Sequence, residues 1–89
     1  PSYLAHLRLT SKLDKKKVIN YGDKLLKLLS DQLRSGDVVS RCNTKIFMLL
    51  ITDITEKEAK KVLKRINNSF KAKFKPPEEI DLEIKKYKL

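Results

Sequence analysis

The sequence has few of the residues on which metal and nucleophilic sites depend. It contains one cysteine, one histidine and no tryptophan in 89 residues. A single cysteine excludes an intrachain disulfide and agrees with a reducing cytosol. Zinc sites need clustered Cys and His ligands, and no such cluster is present. We interpret His6 as a strand residue on a half-buried or exposed face. We interpret Cys42, beside Arg41, as a small packed hydrophobe.

Glycines and long apolar runs are also scarce. The two glycines form neither a phosphate-binding loop nor a dinucleotide-binding fingerprint. No apolar run approaches the roughly 18 residues of a membrane span, and no secretory segment is present. We therefore expect a cytoplasmic location and no membrane contact. Because residue 1 is proline, we expect residues 1–89 to be a single domain taken from a longer protein.

Positive charge is abundant. The net charge of +10 comes from 21 Lys and Arg residues against 11 Asp and Glu residues. Such a charge favours contact with phosphates, acidic proteins or anionic surfaces, although lysine-rich surfaces commonly serve only to keep a protein in solution. The 40% hydrophobic content indicates a folded chain.

Hydrophobic alternation predicts four strands. They are Tyr3–Thr10, Val38–Cys42, Lys45–Thr52 and a last strand that contains Ile80, Leu82 and Ile84. Asn43-Thr44 would join the second and third strands as a hairpin. Tyr87 and Leu89 fall out of phase with the last strand, which predicts a bulge near Lys85.

Helical spacing predicts two amphipathic helices. The first would begin at an N-cap, Asp14, and end near Leu33, where Ser35-Gly36 supplies a C-cap. Its predicted stripe is Val18, Gly22, Leu25, Leu26, Leu29 and Leu33. The second would open with a capping box of Thr55 and Glu58 and be followed by a break at Pro76-Pro77. Its predicted stripe is Ala59, Val62, Leu63, Ile66 and Phe70.

The predicted order is therefore β-α-β-β-α-β. Right-handed crossovers would place both helices on one face of a four-stranded antiparallel sheet. This is the α+β ferredoxin-like fold. The fold hosts many unrelated activities, so it does not determine function.

Several motifs occur in an order that resembles the GGDEF domain of diguanylate cyclases. Residues 22–26 keep the Gly-Asp-x-Leu-Leu element of that family, and residues 34–37 keep its Arg-x-x-Asp element. Arg41 matches the arginine two residues before the signature hairpin, and Phe47 matches the last letter of the signature. The resemblance covers roughly residues 4–66 and implies a cyclase-like fold.

The signature hairpin departs from the family. It is Asn43-Thr44-Lys45-Ile46-Phe47, so both glycines and both acids are replaced. In the family the glycines let the backbone approach nucleotide phosphates and the acids bind magnesium, whereas Lys45 brings a positive charge. His6 stands at the family's strand-one metal carboxylate, and Asp14 stands at its guanine-binding Asn. We therefore predict no enzymatic activity, no metal site and no cofactor.

The resemblance also implies a ligand. In the family, Arg-x-x-Asp binds the product cyclic di-GMP, which would make Arg34 and Asp37 binding residues. Asp23 matches the guanine-binding Asp of the family and, with Arg41, completes the candidate set. An arginine fork suits both guanine and phosphate oxygens. The alternative is structural, because a helix-ending Arg and a turn-forming Asp are ordinary local features. A salt bridge between Arg34 and Asp37 without a cleft would favour that alternative.

Three functional hypotheses follow. The first is a non-catalytic, cyclase-derived regulatory domain of a bacterial signalling or transcription protein, acting through other domains or a partner protein. Shortened domains of this kind are similar to the C-terminal portions of some bacterial transcriptional activators. The second is a cyclic di-GMP receptor. The third is a basic nucleic-acid-binding module, for which exposed stacking aromatics are scarce. Under the first hypothesis, the positive charge would add a weak, nonspecific and salt-sensitive contact with DNA.

Overall fold

The computed structural model describes residues 1–11, 15–74 and 80–89, and the predicted element order is confirmed. The elements are β1 (Tyr3–Ser11), α1 (Lys15–Gln32), β2 (Val38–Arg41), β3 (Ile46–Ile51), α2 (Glu56–Phe74) and β4 (Ile80–Lys88). The predicted cap at Asp14 and the break at Pro76-Pro77 lie outside the described residues.

The four strands form one antiparallel sheet in the order β2-β3-β1-β4. Alternate residues of β1 are buried and the residues between them are half-buried or exposed, so the sheet has one covered face. The contacts of α1 and α2 with each other and with β1 place both helices on that face. This is the ferredoxin-like α+β fold that the sequence predicts.

The core lies between the helices and the covered face of the sheet. Its most deeply buried side chains include Leu7, Leu25, Leu29, Phe47 and Phe70. The helical stripes are confirmed at these buried positions: Val18, Leu25, Leu29, Ala59, Leu63, Ile66 and Phe70. Half of the predicted capping box is present, because the Glu58 N–H donates to the Thr55 hydroxyl at 3.2 Å.

The last strand differs from its prediction. The pairing of β1 with β4 runs without interruption from Tyr3 opposite Lys88 to Ser11 opposite Ile80. The predicted bulge near Lys85 is therefore wrong. Tyr87 is out of phase because it lies on the open face of the sheet, opposite Leu4.

The open face carries an apolar row that crosses all four strands. Pairing aligns Val38 with Leu50, Leu50 with Leu4, and Leu4 with Tyr87. Val38 and Tyr87, at the two edges, are about half exposed. In the described part of the chain, neither helix has the length and apolar character needed to cross a bilayer.

Candidate ligand-binding site

The turn between α1 and β2 positions Arg34 and Asp37. The Asp37 N–H donates to the Arg34 carbonyl at 3.0 Å, which closes the turn. Gly36 has a φ of 92°, a left-handed conformation that glycine accepts without steric cost. A Cβ at Gly36 would also lie 2.9 Å from the Thr52 hydroxyl, so this position needs glycine on two grounds.

The Asp37 carboxylate connects this turn to the end of β3. Its Oδ2 accepts from the Arg34 N–H at 3.1 Å and from Arg34 Nε at 3.3 Å. Its Oδ1 accepts from the Thr52 N–H at 3.1 Å and from the Thr52 hydroxyl at 3.4 Å. The side chain is only 5% exposed. Both oxygens are thus engaged by the protein, and the carboxylate serves to hold Arg34.

The surroundings of Asp37 favour its charged form. Burial by itself would raise the pKa of Asp37. The hydrogen bonds from Thr52 and Arg34, together with the positive charge of Arg34, outweigh burial and hold the pKa below its ordinary value. The carboxylate therefore remains ionised at neutral pH and keeps its partner oriented.

Arg34 is oriented but still accessible. Its Nη2 donates to the Thr52 carbonyl at 2.6 Å, and its side chain is 47% exposed. Its Nη1 has no hydrogen-bond partner among residues 1–11, 15–74 and 80–89. The guanidinium is thus fixed along one edge and can offer donors to a planar acceptor or a phosphate along the other.

The second predicted pair, Asp23 and Arg41, lies between α1 and the hairpin. Arg41 Nη1 donates to Asp23 Oδ1, and its Nη2 donates to the Thr44 carbonyl at 3.3 Å. The guanidinium carbon lies 5.2 Å from the centre of the Phe47 ring. A Cβ at Gly22 would be 2.5 Å from Arg41 Nη2, so the guanidinium occupies the surface above this glycine.

The hairpin is closed by its own asparagine. Asn43 Oδ1 accepts from the Lys45 N–H at 2.8 Å and the Ile46 N–H at 3.0 Å. These hydrogen bonds close the turn without a glycine. The side chain of Lys45 in this turn is exposed. β2 ends one residue earlier than predicted and β3 begins one residue later, because Asn43 accepts from the N–H groups of Lys45 and Ile46 at the start of β3.

The structure separates the four predicted residues into two pairs. Arg34 and Asp37 precede the first residue of β2, whereas Arg41 is its last residue and contacts Asp23. His6 lies on the open face, opposite Met48 and Lys85, and contacts neither pair through the sheet. The described residues contain no group of three His, Cys, Asp or Glu side chains that could hold a metal ion.

Two features of the site were not predicted. Cys42 is exposed, so its interpretation as a packed hydrophobe is wrong; β2 ends at Arg41, and Cys42 already belongs to the turn. Thr52 was missed as a partner of Arg34 and Asp37. Its contacts bridge 15 to 18 positions of sequence, and no local pattern could indicate them.

Comparison with known proteins gives structural relatives but no sequence family. No protein-family profile matches the chain, and no curated protein matches it. PelD from Pseudomonas aeruginosa PAO1 is similar with a TM-score of 0.70 and 20% identity, over 97% of this chain and 30% of that chain. PelD from strain PA14, in complex with c-di-GMP, gives a TM-score of 0.66 and 18% identity over 97% and 32%.

A GGDEF domain is also similar. The GGDEF domain of TpbB (YfiN) from P. aeruginosa PAO1 gives a TM-score of 0.55 and 19% identity, over 96% of this chain and 57% of that chain. At these identities the likeness shows a GGDEF-like fold. The chain spans about a third of the length of the PelD structures.

Proposed function

We propose that this chain is a non-catalytic, GGDEF-like regulatory domain that acts by binding rather than by nucleotide turnover. The observation that carries this proposal is the hairpin. Asn43 closes a turn that has no glycine, and Lys45 is exposed where the family has a metal-binding acid. Its positive charge opposes binding of a divalent cation. Arg41 also pairs with Asp23, the carboxylate that the family resemblance assigns to guanine binding.

The test is a turnover and binding assay with guanosine triphosphate and magnesium. We expect no cyclic dinucleotide above the level of a protein-free control. We also expect no heat of nucleotide binding to the chain. Formation of cyclic di-GMP by the purified chain, at a rate proportional to protein concentration, would refute the proposal.

A second function, binding of cyclic di-GMP, is supported by a different observation. Arg34 is held by Asp37 and Thr52 and directs unused donors to solvent. A structural relative, PelD from P. aeruginosa PA14, has been solved in complex with c-di-GMP. We propose that Arg34 contacts this ligand directly and that Asp37 acts as a positioning residue. The salt bridge between them also fits a purely structural role, so a direct test is needed.

Calorimetric titration with cyclic di-GMP separates the two roles. We expect Arg34→Lys, which keeps the charge but loses the planar fork, to weaken binding by about tenfold or more. Arg8→Lys is the matched control, because it makes the same change at an exposed arginine on the open face. Absence of heat with the wild-type chain would leave Arg34 and Asp37 as structural residues.

The remaining assignments are part of the same proposal. We place the domain in the cytoplasm, as a part of a bacterial signalling protein that contacts other domains or a partner protein. A role in transcription and a weak contact with DNA stay predictions from the sequence.

A further inference from the structure

The edge of β4 borders a groove with an apolar floor and a basic rim. The groove lies between β4 and α2 and has a volume of about 320 Å³. Its floor is formed by Leu63, Leu82 and Ile84, and its polar lining by Lys60, Lys64, Asn67 and Lys86. Arg34 and Arg41 do not line it, so this surface is separate from the two pairs described above.

The groove has an excess of positive charge. Glu56 Oε1 lies 3.3 Å from Lys86 Nζ and 3.9 Å from Lys60 Nζ. Lys64 has no ion pair among the described residues. Lys60 and Lys64 are four residues apart on one helix, an arrangement in which like charges repel. One carboxylate therefore faces three ammonium groups, and an acidic partner would relieve the repulsion.

The backbone beside the groove is unpaired. β4 is an edge strand, paired with β1 alone among the described strands. The Leu89 N–H donates to the Ser2 carbonyl at 3.0 Å, and alternate residues of an antiparallel strand point to the same neighbour. The backbone N–H and C=O groups of Tyr87 therefore also point to β1. The backbone N–H and C=O groups of Ile84 and Lys86 point away from the sheet. The Leu82 N–H is occupied by Asp81 Oδ1 at 2.9 Å, so the open stretch begins at Ile84.

We propose that β4 and this groove bind an extended acidic segment of a partner protein, which adds to the sheet as a fifth strand. Ile84 and Lys86 supply the backbone hydrogen bonds, and side chains on the helix side of the added strand reach Lys60 and Lys64. Side chains on its other side extend the apolar row that ends at Tyr87. The inference names the partner for the protein-contact role proposed above and rests on that role.

Charge decides between an acidic partner and a second copy of this chain. From Ile84 to Lys88, where the edge is open, β4 carries Lys85, Lys86 and Lys88 and no carboxylate. Two such stretches side by side would bring like charges together, which is a common protection of edge strands against self-pairing. The same lysines attract a strand that carries carboxylates.

The probe is a capped peptide of alternating Glu and Val, about eight residues long, titrated into the isotope-labelled chain. Amide NMR signals report the site residue by residue. We expect the largest shifts at Ile84 and Lys86. A peptide methylated on the nitrogens that face β4 should not bind, because it keeps the charges but loses the hydrogen bonds. A peptide of alternating Lys and Val should not bind either.

Variants on α2 test the groove. Lys64→Glu should weaken binding of the Glu/Val peptide by about tenfold or more. Lys71→Glu is the matched control, because it makes the same change of charge on the same helix at an exposed position outside the groove. It should change binding by less than about twofold.

Several outcomes would overturn the inference. One is no response of the edge amides at about millimolar Glu/Val peptide. Another is equal affinity for the methylated peptide, which would reduce the contact to charge attraction. Shifts of Ile84 and Lys86 that depend on the concentration of the chain alone would assign the edge to a second copy. Nucleotide turnover is assayed separately, so a chain without turnover that ignores the peptide would remove this inference and leave the proposed function standing.

Discussion

At the residue scale, Asp37 joins the turn after α1 to the end of β3 through one buried carboxylate. Asp37→Asn keeps the shape of the side chain but loses its charge and the second acceptor oxygen. Leaving buried donors unpaired costs about 1–3 kcal/mol, so we expect the free energy of unfolding to fall by that amount. Urea unfolding measures it. Asp31→Asn, at an exposed position of α1, should change stability by less than about 0.5 kcal/mol.

The pH dependence of stability follows from the same residue. The pKa of Asp37 is lowered in the folded chain from its ordinary value of 3.8. Its contribution to stability is therefore complete above that value and is lost as the pH falls through the folded pKa. We expect the wild-type chain to lose stability below about pH 4 more steeply than Asp37→Asn. If the free energies of unfolding of the wild-type chain and Asp37→Asn, measured in urea, fell equally as the pH is lowered, this assignment would be contradicted.

Asn67 differs from Asp37, whose carboxylate oxygens both accept hydrogen bonds. Asn67 Oδ1 is buried and has no hydrogen-bond partner among the described residues. Removing an unsatisfied buried acceptor is worth about 1 kcal/mol or more. We expect Asn67→Leu to raise the free energy of unfolding by that order. Asn68→Leu, at the exposed neighbouring position, is the control. A fall in the free energy of unfolding in Asn67→Leu alone would contradict this expectation.

At the element scale, α1 contains Gly22, and glycine is intrinsically unfavourable in the interior of a helix. Alanine is favoured over glycine in a helix interior by about 1 kcal/mol. A Cβ at Gly22 would however lie 2.5 Å from Arg41 Nη2 and 3.0 Å from the Thr44 carbonyl. We therefore expect Gly22→Ala to displace Arg41 from Asp23 and to give no gain in stability.

A double-mutant cycle checks this interpretation of α1. In an Arg41→Ala background the close contact with the guanidinium is gone, so Gly22→Ala should stabilise the chain by up to about 1 kcal/mol. Thermal or urea unfolding of the four proteins gives the coupling between the two positions. Equal effects of Gly22→Ala in both backgrounds would show that Arg41 does not determine the need for glycine.

The elements themselves were largely predictable, and the errors have physical causes. Strict spacing of Ala59, Leu63, Ile66 and Phe70 predicted α2, because a helix with one buried face leaves a clear period. In β4 the same reasoning failed at Tyr87. The predicted bulge rested on the assumption that every apolar residue of β4 lies on the covered face, whereas Tyr87 lies on the open face opposite Leu4.

At the scale of the whole molecule, the candidate site was predicted only in part. The sequence indicated Arg34, Asp37, Asp23 and Arg41 through their resemblance to family motifs. It did not indicate that they form two pairs at the two ends of β2, nor that Thr52 completes the first pair. Such contacts depend on the register of the sheet, which no local pattern records.

The distribution of charge is a property of the whole chain. Nearly half of the 19 residues of α2 are charged, seven of them basic and two acidic. The ion pairs of the described residues involve mostly exposed side chains. Exposed pairs contribute little to stability, about 0–1 kcal/mol each. Repulsion among the remaining lysines therefore outweighs attraction in a chain of net charge +10.

This balance predicts the response of the chain to salt. Screening acts on repulsion and attraction alike, and where repulsion dominates it stabilises the folded state. We expect the melting temperature to rise from low salt to about 0.5 M NaCl. A variant with Lys61→Glu and Lys71→Glu, which removes no ion pair of the described residues, should melt higher at low salt and respond less to NaCl. A melting temperature that falls with NaCl would mean that the ion pairs, including Lys86 with Glu56, dominate the electrostatics.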